Sequence, residues 1–486
     1  MSSLKKQNKI LIDNSDCVGF ANGLFRQNII MFKSQKLKDW LKLFERRGVI
    51  LSWFSLVWSR RVFRGIGLAI VTLFSIGLFS HFPSFSQDPV TVRFLVQAGE
   101  ATQLQSFAED FNQKNPNITL EIVKGPNNTN LVEDLYTSAF LLGDSPYDIV
   151  YMDIVWVQKF AAAGWLADLS EWVDADLLTP YLEGVTEGGR YQGKLYRMPL
   201  RADGGMLYYR TDFLKQVGAD PPETFEELVE ISQQIQDQGL AQWGFIWQGK
   251  QYEGLSALFT EILEGFGGFW VDPETNEVGL DRPEAIAAAE FLRQTITKGI
   301  SPQDVTTYSE EETRLLFQSG NTAFLRNWPY VVPLANQSKI AGQFSIKPMI
   351  HAPSFNSGAC LGGWGFGISS RSPHQQEAWK VIEYFNNIDV QRQYFLITGF
   401  VPGRRSLFLD PELVSKYPHY PQLLDVINNS VLRPPIAQYA QTSDILQRYL
   451  SAALTGSQTP KAALEAAATE TRTLLGRQQR VISLEQ

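Results

Sequence analysis

Along residues 88–153 the apolar positions change period several times. Val90, Val92, Phe94 and Val96 alternate as a strand requires, and Leu104, Phe107 and Phe111 then recur at helical spacing. NPNITLEIV (115–123) supplies a turn and a second strand, LVEDLYTSAFLLG (131–143) a helix closed by Gly143, and YDIVYMD (147–153) a third strand. Three β/α units in succession predict a parallel sheet. Ligands bind such sheets beyond the carboxyl ends of the strands, where Glu100 and Asp153 fall.

The middle of the chain predicts a second unit. In PPETFEELVEISQQIQDQG (221–239), Thr224 and Glu227 are spaced as a capping box ahead of apolar residues at helical period, and Gly239 can end the helix. RPEAIAAAEFLRQTITKG (282–299) places Pro283 in the first turn and Gly299 past the last. NTAFLR (321–326) reads as a strand with Phe324 inward, so Trp328 and Tyr330 of FLRNWPY emerge beyond its end, spaced by Pro329. There is no internal repeat and no low-complexity tract.

Charge divides the chain. Residues 1–64 carry 13 Lys/Arg against 4 Asp/Glu, a net of +9, leaving 30 basic against 47 acidic residues in the rest. The apolar run GIGLAIVTLFSIGLF (65–79) follows Arg60, Arg61 and Arg64. A basic leader, a run of this length and an acidic body predict an exported protein, with residues 1–64 as leader and 65–86 as signal-peptide h-region or uncleaved anchor. Ser84 and Ser86 suit cleavage before Gln87. SRRVF (59–63) resembles the twin-arginine export motif, and the general secretory route stays open. No cysteine follows the run, so the protein is not expected to be a lipoprotein.

Four histidines and two cysteines make a zinc site or a histidine relay a poor expectation. Neither a metal nor a cofactor is expected, and Cys17 and Cys360 predict no disulfide. There is no GxxxxGK[ST] phosphate loop, and the acidic body argues against nucleic acid.

Several ordered stretches carry a resemblance. YMDIVWVQKFAAAGWLADLSEWV (151–173), YQGKLYRMPLRADGGMLYYRTDFL (191–214), WGFIWQGKQYEGL (243–255), FLRNWPY, LGGWGFGIS (361–369), VPGRRS (401–406) and VLRPP (431–435) run in family order across 90–475. In these the chain resembles the family 1 solute-binding proteins of ABC importers, and among them the trehalose/maltose-binding members. The resemblance implies a two-lobed α/β fold of the periplasmic-binding-protein type II. It places 88–200 with 355–395 in lobe 1 and 201–354 with 396–486 in lobe 2. A sugar would lie in the cleft between lobes, stabilising the closed state by bridging both. The partners implied are the sugar and membrane permease subunits with ATPase subunits behind them. The protein itself is expected to be a monomer in the periplasm, not an enzyme.

A sugar site needs carboxylates or amides for hydroxyls and flat rings for apolar C–H faces. The resemblance assigns ligand contact to Glu100, Asp153, Asp203, Trp328, Tyr330, Gly363, Trp364 and Arg433; a second tier of candidates is Asn128, in a loop where the arginine expected of the family has no clear counterpart, with Arg201, Tyr252 and Glu253. From the residues alone each has another reading. Asp153 could cap the helix after it, Asp203 could sit in a turn beside Gly204 and Gly205, and Arg433 could make a surface ion pair. Gly363 could serve strand packing or ligand approach, Asn128 a turn or hydroxyls, and Tyr252 and Glu253 the cleft or a lobe surface. Arg201 stands where close members of the family have an aromatic residue. The ligand expected is an α-glucoside of the trehalose, maltose, sucrose or glucosylglycerol type, an osmolyte among them. A glycoside hydrolase using a carboxylate pair and a membrane-tethered sugar sensor are the alternatives.

Overall fold

The alternation at the start of the acidic body becomes strand β1 (Val90–Gln97), which buries Val92, Phe94 and Val96 completely. The computed structural model describes residues 89–143 and 145–485, with side chains described as far as Gly476 apart from Ala175. The leader, the apolar run and Cys17 lie outside the described residues. Helix Ala98–Lys114 follows β1 with Leu104, Phe107 and Phe111 inward, and leads to β2 (Ile118–Gly125), parallel to β1.

Helix Thr129–Leu142 ends at Gly143, whose φ of 81° is the left-handed conformation that favours glycine. The third strand, β3 (Ile149–Asp153), departs from the expected all-parallel run. Its ladder is antiparallel, to a strand from much later in the chain. Between β1 and β3 stands the buried Tyr136 hydroxyl, which donates to the Leu95 carbonyl at 2.7 Å. The same hydroxyl accepts from the Leu95 and Tyr151 amides at 2.9 and 3.2 Å, replacing ladder bonds there.

A two-residue hairpin, β4 (Arg190–Tyr191) and β5 (Lys194–Leu195), turns through Gln192 and Gly193, both at positive φ. The chain then runs through β6 (Met198–Gly204) straight into β7 (Met206–Arg210). These neighbours belong to different sheets, so the crossing between lobes falls at Gly204 and Gly205. A side chain at 205 would displace the buried Glu261–Arg326 pair, since its Cβ would lie 1.6 Å from Glu261 Oε1 and 2.6 Å from the Arg326 guanidinium.

The second lobe adds β8 (Trp243–Ile246), β9 (Thr322–Asn327) and β10 (Phe344–Lys347), in the order β10-β7-β9-β8. Its helices follow their sequence signals: Phe225–Asp237 has the Thr224–Glu227 capping box, and Pro283–Thr297 begins on its proline. The chain returns as β11 (Leu361–Ile368), then β12 (Val401–Pro402), giving the first lobe a sheet in the order β12-β6-β11-β3. Strand β6 therefore spans the boundary expected at 200, and β12, paired with it, lies beyond the one expected at 395. The architecture is two-lobed α/β, and β3, β6 and β9 all end towards one cavity.

Candidate functional site

That cavity has a volume of about 690 Å³ and is lined from both sheets. All twelve residues singled out in the sequence line it: Glu100, Asn128, Asp153, Arg201, Asp203, Tyr252, Glu253, Trp328, Tyr330, Gly363, Trp364 and Arg433.

On the first-lobe wall the charged groups are paired with one another. Arg201, on β6, makes an ion pair with Asp203 two residues on and approaches Glu100 Oε2 at 3.5 Å. Glu100 Oε1 accepts from the Tyr151 hydroxyl at 2.5 Å and the Tyr394 hydroxyl at 2.6 Å. The Arg201 guanidinium lies 4.2 Å from the centroid of the Phe400 ring, a cation–π contact. Arg201 is thus held by the protein rather than projecting as a free fork of donors. Burial raises the pKa of Asp203 from 3.8 to about 6 against the pull of Arg201.

Trp364 and Gly363 belong to β11. Opposite Trp364 stand Asp153 of β3 on one side and Arg201 of β6 on the other, with a bulge after Trp364. Gly363 has φ 142°, and a Cβ there would come within 2.5 Å of the Arg201 carbonyl oxygen. Strand packing therefore already demands this glycine. Trp364 is only 6 % exposed, packed against Tyr151 and Trp156.

Arg433 ties the two lobes together. It donates to Asp153 Oδ1 at 3.2 Å and to Glu253 Oε1 at 2.6 Å. Glu253, buried at the start of helix Glu253–Gly265, also accepts from Tyr439 and from Ser443 Oγ at 2.7 Å. Burial nevertheless raises its pKa. Its backbone amide donates to Asn130 of the first lobe at 3.2 Å. Asp153 lines the cavity and also acts as a cap, since the same carboxylate accepts from the Val155 amide at 3.4 Å. Asn128 Oδ1 is likewise engaged, capping helix Thr129–Leu142 through the Leu131 amide at 3.1 Å.

The second-lobe wall is aromatic. Trp328 and Tyr330 follow β9 directly and remain partly exposed, while Phe324 is fully buried. Arg326 lies 4.1 Å from the Trp328 ring and is itself wholly buried in an ion pair with Glu261. A Cβ on Gly362 would come within 3.3 Å of the Trp328 ring, so this glycine admits the indole. Trp328 Nε1 donates to Glu310 Oε1 at 3.4 Å and the Tyr330 hydroxyl to Glu311 Oε1 at 2.7 Å. Tyr252 lines the cavity too and is buried.

Glu310, Glu311, Gln103, Lys250 and Phe400 also line the cavity and were not singled out in the sequence. Ser309 and Glu312 form a capping box there, so the sequence signal at 309–312 was a helix start that happened to aim two further glutamates at the rings. Among the described residues no cluster of three metal-ligating side chains is present, and no helix is long and apolar enough to cross a membrane.

Residues 97–392 match the family described as bacterial extracellular solute-binding protein. The chain belongs to that family. A relative from Deinococcus radiodurans, named probable ABC transporter-binding protein, is 30% identical over 357 residues, 71% of this chain and 84% of its own. A maltotriose-binding protein from Pyrococcus abyssi is 26% identical over 325 residues, 65% of this chain and 67% of its own. A solved structure, maltose-bound T. maritima MalE3, superposes with a TM-score of 0.75 at 36% identity, covering 79% of this chain and 100% of that one. As a solute-binding protein the chain is a binder, not an enzyme, which removes the glycoside hydrolase alternative. Family membership implies a periplasmic or otherwise extracytoplasmic place of action.

Proposed function

We propose that this solute-binding protein serves an ABC importer, capturing an α-glucoside of the trehalose, maltose, sucrose or glucosylglycerol type and delivering it as a monomer to membrane permease subunits. ATPase subunits behind the permease supply the energy, and the segment near 65–80 directs export. The observation that carries this reading is the composition of one interlobe cavity. Aromatic rings on the second lobe face carboxylates and arginines on the first, which matches a ligand with apolar ring faces and many hydroxyls. The maltotriose-binding name of one relative and the maltose in one solved structure support the same class.

A thermal-shift screen over trehalose, maltose, sucrose and glucosylglycerol tests it, because a ligand that binds only the folded state raises the melting temperature. A saturable rise with at least one of the four is expected. No rise with any of them, confirmed by calorimetry, overturns the α-glucoside assignment.

A further inference from the structure

Apolar side chains exposed singly are ordinary on a protein surface, whereas several together mark a contact. Of the ten large apolar residues exposed among the described residues, four lie on helix Thr129–Leu142: Leu131, Leu135, Leu141 and Leu142. Leu141 is 73 % exposed and Leu142 83 %, and they stand together at the end of the helix away from the cavity. The strands fix that geometry. β1 and β3 run towards the cavity and β11 runs back from it, so the start of β1, the residues after β11 and the end of this helix share one end of the first lobe. Asp148 ties them, its carboxylate accepting from the Arg93 amide at 3.0 Å and from the Ser372 hydroxyl at 2.6 Å.

Beside the two leucines lie groups suited to a lipid surface. Trp165 is partly exposed and stacks on Phe140 with ring centroids 5.2 Å apart. Its carbonyl accepts from the Ser370 amide, and the next residue, Arg371, is exposed, with its guanidinium so near Gly143 that a Cβ there would lie 3.0 Å from it. In a bilayer, leucines enter the acyl region, an indole sits at headgroup level, and an arginine lays its stem on apolar surface with its guanidinium among the phosphates. The chain also enters the folded body at this end. Val90 opens β1, and only the ten residues 80–89 separate it from the apolar run 65–79, a reach of at most about 35 Å.

We propose that the first lobe rests on the membrane at this corner, with Leu141, Leu142 and Trp165 in the interface of a bilayer that holds the 65–79 run as an uncleaved anchor. The body is acidic, so the contact is made by apolar groups and not by attraction to anionic lipid. Leu131, at the other end of the same helix, lines the cavity. Seating the helix end on lipid therefore holds the cavity edge within about 20 Å of the membrane, the length of the helix. Only the benefit of that closeness for delivery to a permease rests on the importer reading above.

Quenching by lipid tests the contact in the full chain, without sugar or permease. Cys17→Ser combined with Leu142→Cys leaves one accessible thiol, because Cys360 is buried. A nitrobenzoxadiazole label on that thiol is read in the fraction that floats with phosphatidylcholine vesicles, with and without bromine on the acyl chains. Seated in the interface, the label at 142 is expected to lose about half or more of its emission to brominated lipid. The same label at Lys298→Cys, exposed on the second lobe, is expected to be unaffected. Leu141→Asp, at a position that packs against nothing, is expected to cut the quenching at 142 at least about twofold. Equal emission with the two lipids at 142, equal quenching at 142 and 298, or quenching that Leu141→Asp leaves unchanged overturns the proposal. So does a chain that does not float with the vesicles. An emission shift at 142 that grows with protein concentration and that brominated lipid does not quench assigns the leucines to a second copy of the chain, which also overturns it.

Discussion

On the first-lobe wall Glu100, Asp203 and Arg201 satisfy one another before any ligand arrives, and their hydrogen-bonding partners come from the helix after β1, from β3 and β6, and from the segment around Tyr394. On the second-lobe wall the charged pair lies one layer back. Arg326 and Glu261 are wholly buried beneath Trp328, and the ring itself faces the cavity. The first wall thus offers hydrogen bonds whose geometry is fixed by internal pairing, and the second offers area whose position is fixed by a buried ion pair. A ligand exchanges water for preset partners on one side and for ring faces on the other, so the walls should fail in different ways when altered.

The sharpest break is at the support of the second wall. Glu261→Ala leaves the Arg326 guanidinium buried without its partner, a change that costs about 3–5 kcal/mol in comparable pairs. Urea denaturation is expected to show that loss. A change within about 0.5 kcal/mol, the range of ordinary surface substitutions, would mean that the pair does not anchor the wall.

Next come the groups that reach the cavity. Asp153→Ala removes the first-lobe end of the Arg433 bridge and is expected to weaken α-glucoside binding by about 1.5–3 kcal/mol, the range for a hydrogen bond to a charged group. Trp328→Ala is expected to weaken it by about 1 kcal/mol or more through the lost ring face. Calorimetry measures both. Unchanged affinity in the two variants would separate this cavity from ligand binding.

Which parts of this arrangement could be read from the chain depends on sequence distance. Strand β1, the capping box at Thr224–Glu227 and the strand ahead of Trp328 are local patterns, and each element stands within a residue or two of its expected place. Ten of the twelve cavity residues lie in the ordered motifs, Glu100 was read from a strand end and Asn128 from a loop, and the structure brings all of them to one place. What each touches is another matter, because pairing depends on packing between distant elements. Glu100 meets Tyr394 across 294 residues, and Arg433 meets Asp153 across 280. Arg201 illustrates the difference. The sequence marked it only as an arginine where close members of the family have an aromatic residue, and the fold shows it held between Asp203 and the Phe400 ring. The Tyr136 hydroxyl between β1 and β3 had no signal either, since a helical tyrosine reads simply as an apolar position.

The first wall also has a pH signature that the second-wall rings lack. Folding raises the pKa of Asp203 to about 6, so the native state holds that proton more tightly than the unfolded chain. The resulting stabilisation is complete below about pH 4 and is lost as pH rises through about 6. Asp203→Asn removes this titration. The stability of the natural protein relative to the variant should therefore fall by about 1–3 kcal/mol between pH 4 and pH 7. A pH-independent difference in urea denaturation would show that Arg201 keeps Asp203 ionised throughout.

The smallest effect is expected where the second wall meets its own acceptors. Tyr330→Phe keeps the ring and removes only the hydroxyl that donates to Glu311 at 2.7 Å, a bond on the exposed side of the cavity. Because Glu311 retains Arg314 as a partner, no buried charge is stranded, and the loss should be about 0.5–1.5 kcal/mol in affinity or less. If the hydroxyl serves only to hold the ring, all α-glucosides should weaken by the same factor in calorimetry. A loss confined to one sugar would place the Tyr330 hydroxyl itself against the ligand, and the second wall would then recognise hydroxyls as well as ring faces.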